Sequence, residues 1–227
     1  MTRRVVLFVL GGVLLVIGLL AGIGGGALMA LFGTNDTVDS GVQQVSTPTR
    51  ALVSPASSIQ DTSGVQTVFG SVRLRITATP AGAGQHIFLG IGPASAVDRY
   101  LSGVSHDVAT DVSVTPFHLT LARQGGTATP PPPESQSFWA AKASGNRPTL
   151  TWTVTSGSYR VVAMNTDAAA PVAFAGGLDL TIPHSFAIGT GLLIGGIVLV
   201  LIAIVLIVLG ARARPQSRPV PDPAAGP

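Results

Sequence analysis

Ser105, His106 and Asp107 are the residue types of a hydrolase triad, and they are adjacent in the sequence. A triad needs its three side chains in one line of hydrogen bonds, in which the serine attacks and the histidine takes its proton. Adjacent residues of a strand point to opposite faces, so this run cannot form that line by itself. The chain also lacks the G-x-S-x-G turn that presents a nucleophilic serine. A turn in which His106 and Asp107 bond their own backbone is therefore favoured over catalysis.

Two other stretches carry residues suited to binding a partner. Asp98-Arg99-Tyr100 places a charged pair beside an aromatic ring, as recognition surfaces often do, although Asp98 could instead cap a helical turn while Tyr100 and Leu101 pack inward. Strict alternation would turn one ring of Phe138-Trp139 outward, toward a glycan, a protein or the membrane surface, whereas a bulge would let both rings pack in the core. The candidate partner-binding residues are Asp98, Arg99, Tyr100, His106, Asp107 and Trp139.

Composition excludes several classes of chemistry. The chain has no cysteine, which rules out disulfides, thiolate catalysis and cysteine-ligated zinc or iron–sulfur sites. Its histidines and acids lack the spacing of zinc and calcium motifs. We therefore expect no metal, no cofactor and no enzymatic activity.

The net charge of +3 does not indicate nucleic-acid binding. Five arginines lie at the two ends, whereas the middle of the chain holds eight basic and nine acidic side chains. Without a basic stripe there is no surface to hold phosphates.

Two long apolar runs flank these candidate residues. Residues 186–210 form 25 consecutive uncharged positions and residues 5–32 form 28, whereas about 20 apolar residues cross a bilayer. The first run follows Met-Thr-Arg-Arg, as a secretory signal does, but it exceeds the roughly 7–15 apolar residues of a signal and lacks an A-x-A cleavage site. An uncleaved anchor is favoured, with a cleaved leader as the alternative.

Arginines next to both runs predict a topology at the cell membrane. Arg3 and Arg4 precede the first run, Arg212 and Arg214 follow the second, and short positive flanks stay in the cytoplasm. Both termini are then cytoplasmic and the middle of the chain lies outside. The predicted segments are a cytoplasmic N-terminus (1–4), a first span (5–32), a linker (33–49), an extracytoplasmic β-sandwich (50–183), a second span (184–210) and a disordered cytoplasmic tail (211–227).

Small residues recur every four positions within the spans. Gly18, Gly22 and Gly26 form one ridge and Gly191 and Gly195 another, which predicts packing of the two spans on each other or on a second copy of the chain. The alternative is that glycine is simply common in membrane helices. Neither apolar run, 5–32 or 186–210, contains an ionisable residue, so a proton or ion pathway is disfavoured.

Short alternating segments with turn residues between them fill the middle of the chain. About eight strands of this kind predict a mainly β domain of the β-sandwich or jelly-roll type. Residues 148–165 are predicted to be a hairpin turning at 156–158, with Trp152 as a core residue between two sheets. The predicted strands are 50–54, 71–78, 86–92, a single strand over 111–122 with Pro116 at an edge or bulge, 137–143, 149–154, 159–165 and 172–182.

The segments HIFLGIGPASAVDRYLSGVSHD, SFWAAKASG and LTWTVTSGSYRVVAMNTD resemble an uncharacterised family of bacterial two-span membrane proteins. Tyr159 stands where that family commonly has a tryptophan, and Lys142 where it commonly has a serine. The middle of the chain is also weakly similar to pre-peptidase C-terminal sandwich domains. Both resemblances imply architecture and neither implies an activity.

We therefore expect a non-enzymatic protein of the bacterial envelope, held in the lipid bilayer and presenting its β-sandwich to an envelope protein or glycan. The alternative is a hydrolase acting near the membrane surface, built from His106, Asp107 and Asp98.

The topology can be tested directly because the chain has no cysteine of its own. Thr151→Cys should react with a membrane-impermeant maleimide in intact cells, whereas Ala224→Cys should react only after permeabilisation. The opposite labelling pattern would overturn the predicted orientation.

Overall fold

The structure is a computed structural model that describes residues 3–60, 62–114 and 117–212, of which 3, 4, 112–114, 117 and 118 are described by their backbone alone. The predicted tail therefore lies almost wholly outside the described residues. The chain divides into two compact units, one made of Met1–Ala30 with Phe186–Pro227 and the other of Leu31–Ser185.

Four α-helices and twelve strands form the described part of the chain. The helices are α1 (Arg3–Phe32), α2 (Ser63–Phe69), α3 (Ala94–Tyr100) and α4 (Ser185–Arg212). The strands are β1 (Thr37–Asp39), β2 (Gln43–Thr47), β3 (Ala51–Val53), β4 (Ser57–Ile59), β5 (Arg73–Pro80), β6 (Ile87–Pro93), β7 (His106–Val114), β8 (Phe117–Gln124), β9 (Ala141–Gly145), β10 (Thr149–Thr153), β11 (Gly157–Asn165) and β12 (Val172–Thr181).

The first unit is a pair of helices, α1 and α4, that are long and apolar enough to cross a membrane. Their contact follows small residues spaced seven apart. A Cβ added to Gly18 would lie 2.8 Å from the Gly196 carbonyl oxygen, and one added to Gly25 would lie 2.5 Å from the Gly189 oxygen. Gly11 faces Ala203, which is fully buried. Residues later in α1 therefore contact residues earlier in α4, so the two helices are antiparallel.

Only part of the four-residue glycine ridges predicted from the sequence lies in the contact between α1 and α4. Gly18 lies in the contact, and the backbone of Gly22 would be 2.6 Å from a Cβ added to Gly196. Gly26, Gly191 and Gly195 have nothing within 4 Å of an added Cβ. A seven-residue repeat keeps one seam in contact between two helices that cross at a shallow angle, whereas a four-residue ridge drifts away from it.

The second unit contains two β-sheets, which fits the predicted sandwich class. The smaller sheet has five strands in the order β1-β12-β5-β10, with β2 also paired to β12. The larger sheet has seven strands in the order β8-β7-β3-β11-β6-β9, with β4 also paired to β11. Apolar residues from both sheets meet in one core cluster that includes Ile76, Leu89 and Trp152. The prediction of Trp152 as a core residue is confirmed.

The predicted hairpin at 148–165 is wrong. β10 pairs with β5 in the smaller sheet, whereas β11 pairs with β3, β4 and β6 in the larger one. The connection at 154–156 therefore crosses between the sheets, and Trp152 meets Tyr159 across the core at a ring-centroid distance of 4.8 Å. Alternation and a short polar turn look the same in sequence whether the second strand pairs with the first or passes to the facing sheet.

Three further differences raise the strand number above eight. The predicted linker at 33–49 contains β1 and β2, both paired with β12. A strand not predicted at all, β4, pairs with β11. The segment 111–122 is not one strand, because β7 and β8 form an antiparallel pair on either side of residues 115–116.

Neighbouring glycines of α4 provide a matched test of the helix pair. Cysteines at Gly11 and Ile207 should form a disulfide in the full-length protein, since a Cβ at Gly11 lies 2.7 Å from Ile207 Cγ1. Adding Gly196→Leu should slow that oxidation roughly tenfold, because overpacking costs about 1–3 kcal/mol. Gly195→Leu should leave the rate unchanged, and equal effects of the two leucines would contradict this packing.

Candidate binding groove on the larger sheet

One face of the larger sheet packs on the smaller sheet, and the other is covered by a third layer. This layer consists of α3 and residues 125–140, and it packs on the sheet through a second apolar cluster that includes Val97, Leu101 and Met164. Strand β6 is consequently buried at six consecutive positions. Its unbroken apolar sequence, IFLGIG, is that of a strand enclosed on both faces.

Phe138 and Trp139 both pack against this second cluster. They lie in an irregular segment before β9 rather than in a strand, so no alternation forces either ring outward. Trp139 fits because Gly90 leaves room, since a Cβ there would be 2.8 Å from the indole ring. Its Nε1 donates a hydrogen bond of 2.8 Å to the Pro133 carbonyl. Trp139 is therefore half-buried and packs in the third layer, with its indole N–H engaged within the domain.

Tyr100 has a similar role. Leu101 is buried, and the Tyr100 ring lies 5.7 Å from that of Phe138, as the structural alternative predicted. The Tyr100 hydroxyl donates to the Pro131 carbonyl over 2.7 Å. Burial raises the pKa of Tyr100 to about 12, so it remains a neutral donor at physiological pH. Together with Trp139 it fastens the proline-rich segment to the domain.

A groove of about 420 Å³ lies where this cover ends, and we call it the outer groove. Strands β3, β7, β8 and β11 contribute to its floor, and the end of α3 with the loop after it contributes to its wall. Its apolar lining includes Val53, Val104 and Val108. Its polar lining comprises Asp98, Ser102, His106, Thr110, Gln124 and Arg160.

Asp98 and Arg160 form an ion pair in the groove, with 2.8 Å between Arg160 Nε and Asp98 Oδ1. The Nε–H does not align with the carboxylate as a hydrogen bond, so the attraction is ionic. Arg160 is oriented by its Nη1, which donates to the Ser54 carbonyl over 2.9 Å. Asp98 thus pairs with β11 from within α3 and is not the helix cap predicted as the alternative. The adjacent Arg99 is exposed and is not among the groove residues.

His106 lines the groove, and one of its ring nitrogens is hydrogen-bonded to the backbone. Its Nδ1 lies 2.8 Å from the Val104 carbonyl oxygen, which can only accept, so Nδ1 carries the hydrogen. In the neutral form of the ring, Nε2 is then a hydrogen-bond acceptor. In a hydrolase triad the nitrogen distal to the nucleophile donates to a carboxylate, and here a backbone carbonyl occupies that place.

Asp107 points away from the groove, as strand alternation predicts. It is only 1% exposed and accepts a 2.6 Å hydrogen bond from Thr47 Oγ1. Arg123 donates to both carboxylate oxygens, over 3.0 and 3.1 Å. These bonds with Arg123 lower the pKa of Asp107, and Thr47 adds to the effect against the opposing cost of burial. Since Thr47 belongs to the smaller sheet and Asp107 to the larger, the carboxylate joins the two sheets and is not a binding residue.

The structure therefore unites only some of the predicted site residues. Asp98 and His106 share the outer groove, whereas Asp107, Tyr100 and Trp139 are used in packing. Sequence reasoning missed Arg160 and Gln124, because each stands in an ordinary alternating strand with no motif around it. Among the residues that the structure describes, no cluster of three metal-ligating side chains occurs.

Replacing Asp107 should destabilise the domain in a pH-dependent way. Asp107→Ala should lower the free energy of unfolding by about 1–3 kcal/mol, because Thr47 and Arg123 lose their acceptor. The native pKa lies below the unfolded value of about 3.9, so the stabilisation is complete above that pH and is lost as pH falls through the native pKa. Urea unfolding of the detergent-solubilised chain, followed by tryptophan fluorescence, measures this effect.

Asp107→Asn should accordingly flatten the acid limb of the stability curve. Asp111→Asn is the matched control, since Asp111 is an exposed residue of the same strand. An equal change in both variants would show that Asp107 has no special role.

In comparisons with family models, curated proteins and solved structures, the chain has no match. The resemblances drawn from sequence segments therefore stay predictions. The geometry of the outer groove is what supports a functional proposal.

Proposed function

We propose that this chain is a two-span membrane protein whose β-domain lies outside the cytoplasm and uses the outer groove to bind an extended segment of an envelope protein. The observation that carries the proposal is a groove of about 420 Å³ that is lined by both apolar and polar side chains. Binding sites for ligands occupy about 300–1,000 Å³ and combine apolar walls with a few placed polar groups.

The membrane part of the proposal is supported by two helices and by charge. Both helices are long and apolar enough to cross a membrane, and small residues line their contact, as in membrane helix pairs. Each apolar run has arginines at the end next to a chain terminus, which favours cytoplasmic termini. Because two spans return the chain to its starting side, the domain between them lies on the other side.

An extended polypeptide fits the groove better than a compact ligand does. β8, which contributes Ala122 and Gln124 to the lining, is the end strand of the larger sheet as described. An end strand offers backbone donors and acceptors that a partner segment can pair with, while neighbouring pockets receive its side chains. Arg160 and Asp98 provide both charge signs, and His106 Nε2 provides an acceptor.

Catalysis is supported less well than binding. A hydrolase would need a base oriented by a carboxylate, whereas His106 Nδ1 bonds to a carbonyl and Asp98 pairs with Arg160. We therefore propose recognition, with no chemical step on the partner.

Site-specific photocrosslinking in living cells tests the proposal. A benzophenone amino acid at Gln124, which is exposed in the groove, should capture a discrete protein partner. The matched control is the same amino acid at Thr79, which is exposed on the smaller sheet and should capture no such partner.

A second substitution ties the capture to the groove itself. Thr110→Trp should fill the cavity and reduce capture at Gln124 roughly tenfold, because displacing a few buried contacts costs about 1.4 kcal/mol or more. Thr151→Trp, on the smaller sheet, should leave capture unchanged. Capture of carbohydrate in place of protein, or equal capture at Gln124 and Thr79, would overturn the proposal.

A further inference from the structure

The two chain segments that connect the β-domain to α1 and α4 meet at one end of the smaller sheet. Thr37, just after α1, is in register with Thr181, just before α4. Thr181 is in register with Arg73 of β5, and Arg73 with Thr153 of β10. These four residues form one row across the sheet, and we call this end of the domain the span end.

Helix α2 is attached to the span end at both of its termini. At its start, the backbone N–H of Thr62 donates to Ser156 Oγ over 3.3 Å, and Ser156 closely follows β10 in sequence. At its end, a Cβ on Gly70 would lie 3.6 Å from Pro183, two residues before α4 begins. The short helix therefore lies across the end of the domain from which the chain continues into both long helices.

This helix exposes two apolar side chains next to an apolar groove. Val65 is 46% exposed and Val68 is 58% exposed, and α2 contains no buried residue. A mainly apolar groove of about 260 Å³ adjoins it, lined by Val65 together with Ile59, Val72 and Val154. Exposed apolar side chains that adjoin an apolar groove suit an interaction site.

The charge of the same end suits lipid headgroups. Arg73, in the row that defines the span end, is exposed. The carboxylate of Asp36, at the same end, accepts hydrogen bonds from His184 and Ser185, so it is engaged within the domain. An exposed cation and exposed valines at the same end of a domain are the composition of surfaces that lie in a membrane interface, where apolar groups enter the acyl region and cations meet phosphates.

We propose that α2 and its adjoining groove lie in the interfacial layer of the lipid bilayer and hold the β-domain against the membrane. This inference depends on the two-span arrangement proposed above, because that arrangement brings the span end to the bilayer. The occupant is lipid rather than a second copy of the chain, because the connections to α1 and α4 both place this surface next to the membrane.

Fluorescence in proteoliposomes tests the contact with the full-length chain. Val68→Cys labelled with an NBD fluorophore, in phosphatidylcholine vesicles, should show blue-shifted emission and quenching by phosphatidylcholine that carries a nitroxide near the glycerol. Thr79→Cys with the same label is the matched control and should show neither effect. Adding Val65→Glu to the Val68 probe should lower the quenching at least several-fold, whereas Val65→Leu should retain it.

A third probe separates failure of this inference from failure of the two-span arrangement. Ile197→Cys lies on α4 and is 52% exposed, so its label should be quenched by nitroxides near the middle of the bilayer. If Ile197 is not quenched, the spanning arrangement fails and this inference falls with it. If Ile197 is quenched but Val68 is not, only the position of α2 is overturned. A Val68 blue shift without quenching, varying with the protein-to-lipid ratio, would identify a second copy as the occupant and also overturn it.

Discussion

The bonds around Asp36 bring the beginning and the end of the β-domain together. Its carboxylate accepts hydrogen bonds from the His184 backbone N–H over 3.0 Å and from the Ser185 hydroxyl over 2.9 Å. Its carbonyl accepts from the Ile182 N–H, and the hydroxyls of Thr37 and Thr181 are 2.9 Å apart. Asp36 adopts φ 55°, a left-handed conformation that aspartate tolerates better than most residues. These contacts join residues nearly 150 positions apart, and they hold together the span end on which the proposed position of α2 in the membrane depends.

The division of strands between the sheets explains why the domain has a third layer. Because β10 and β11 pass to different sheets, β11 can pair with β6 on one side and with β3 on the other. The larger sheet then has its central strands enclosed by the smaller sheet on one face, and their other face carries large apolar residues such as Val162 and Met164. Those residues require cover, which α3 and residues 125–140 provide only in part. The outer groove is the uncovered remainder.

The sequence predicted the elements whose signals are local. Long uncharged runs predict α1 and α4, and alternation predicts most strands, including both strands flanking the turn at 156–158. Their pairing could not be predicted, because β10 next to β11 in one sheet and β10 facing β11 across the core expose the same residues to the core. The helix contact was missed for a related reason. Glycines recur at both four and seven residues, and only the crossing geometry of the pair selects Gly18 and Gly196 over Gly26 and Gly195.

The groove was less predictable than the fold because its residues are far apart in sequence. Asp98 and Arg160 are in ordinary contexts, and only the packing of α3 on β11 brings them to 2.8 Å. Asp107 and Trp139 were predicted as site residues from their residue types, yet the polar group of each is hydrogen-bonded within the domain. A residue type indicates what a side chain can do, whereas burial and hydrogen-bond partners decide whether it remains available for a ligand.

The rim of the groove is held by backbone contacts rather than by side chains. Ala128 donates its N–H to the Gly103 carbonyl over 3.0 Å, and Val104 forms a parallel bridge with Ala128. Gly126 lies directly on this backbone, where an added Cβ would overlap the Gly103 carbonyl. The loop between α3 and β7 is therefore bonded to the segment that follows β8, at the edge of the groove. A rim fixed before binding reduces the conformational entropy that a partner must overcome, and this makes the groove better suited to recognition than a mobile loop of the same composition.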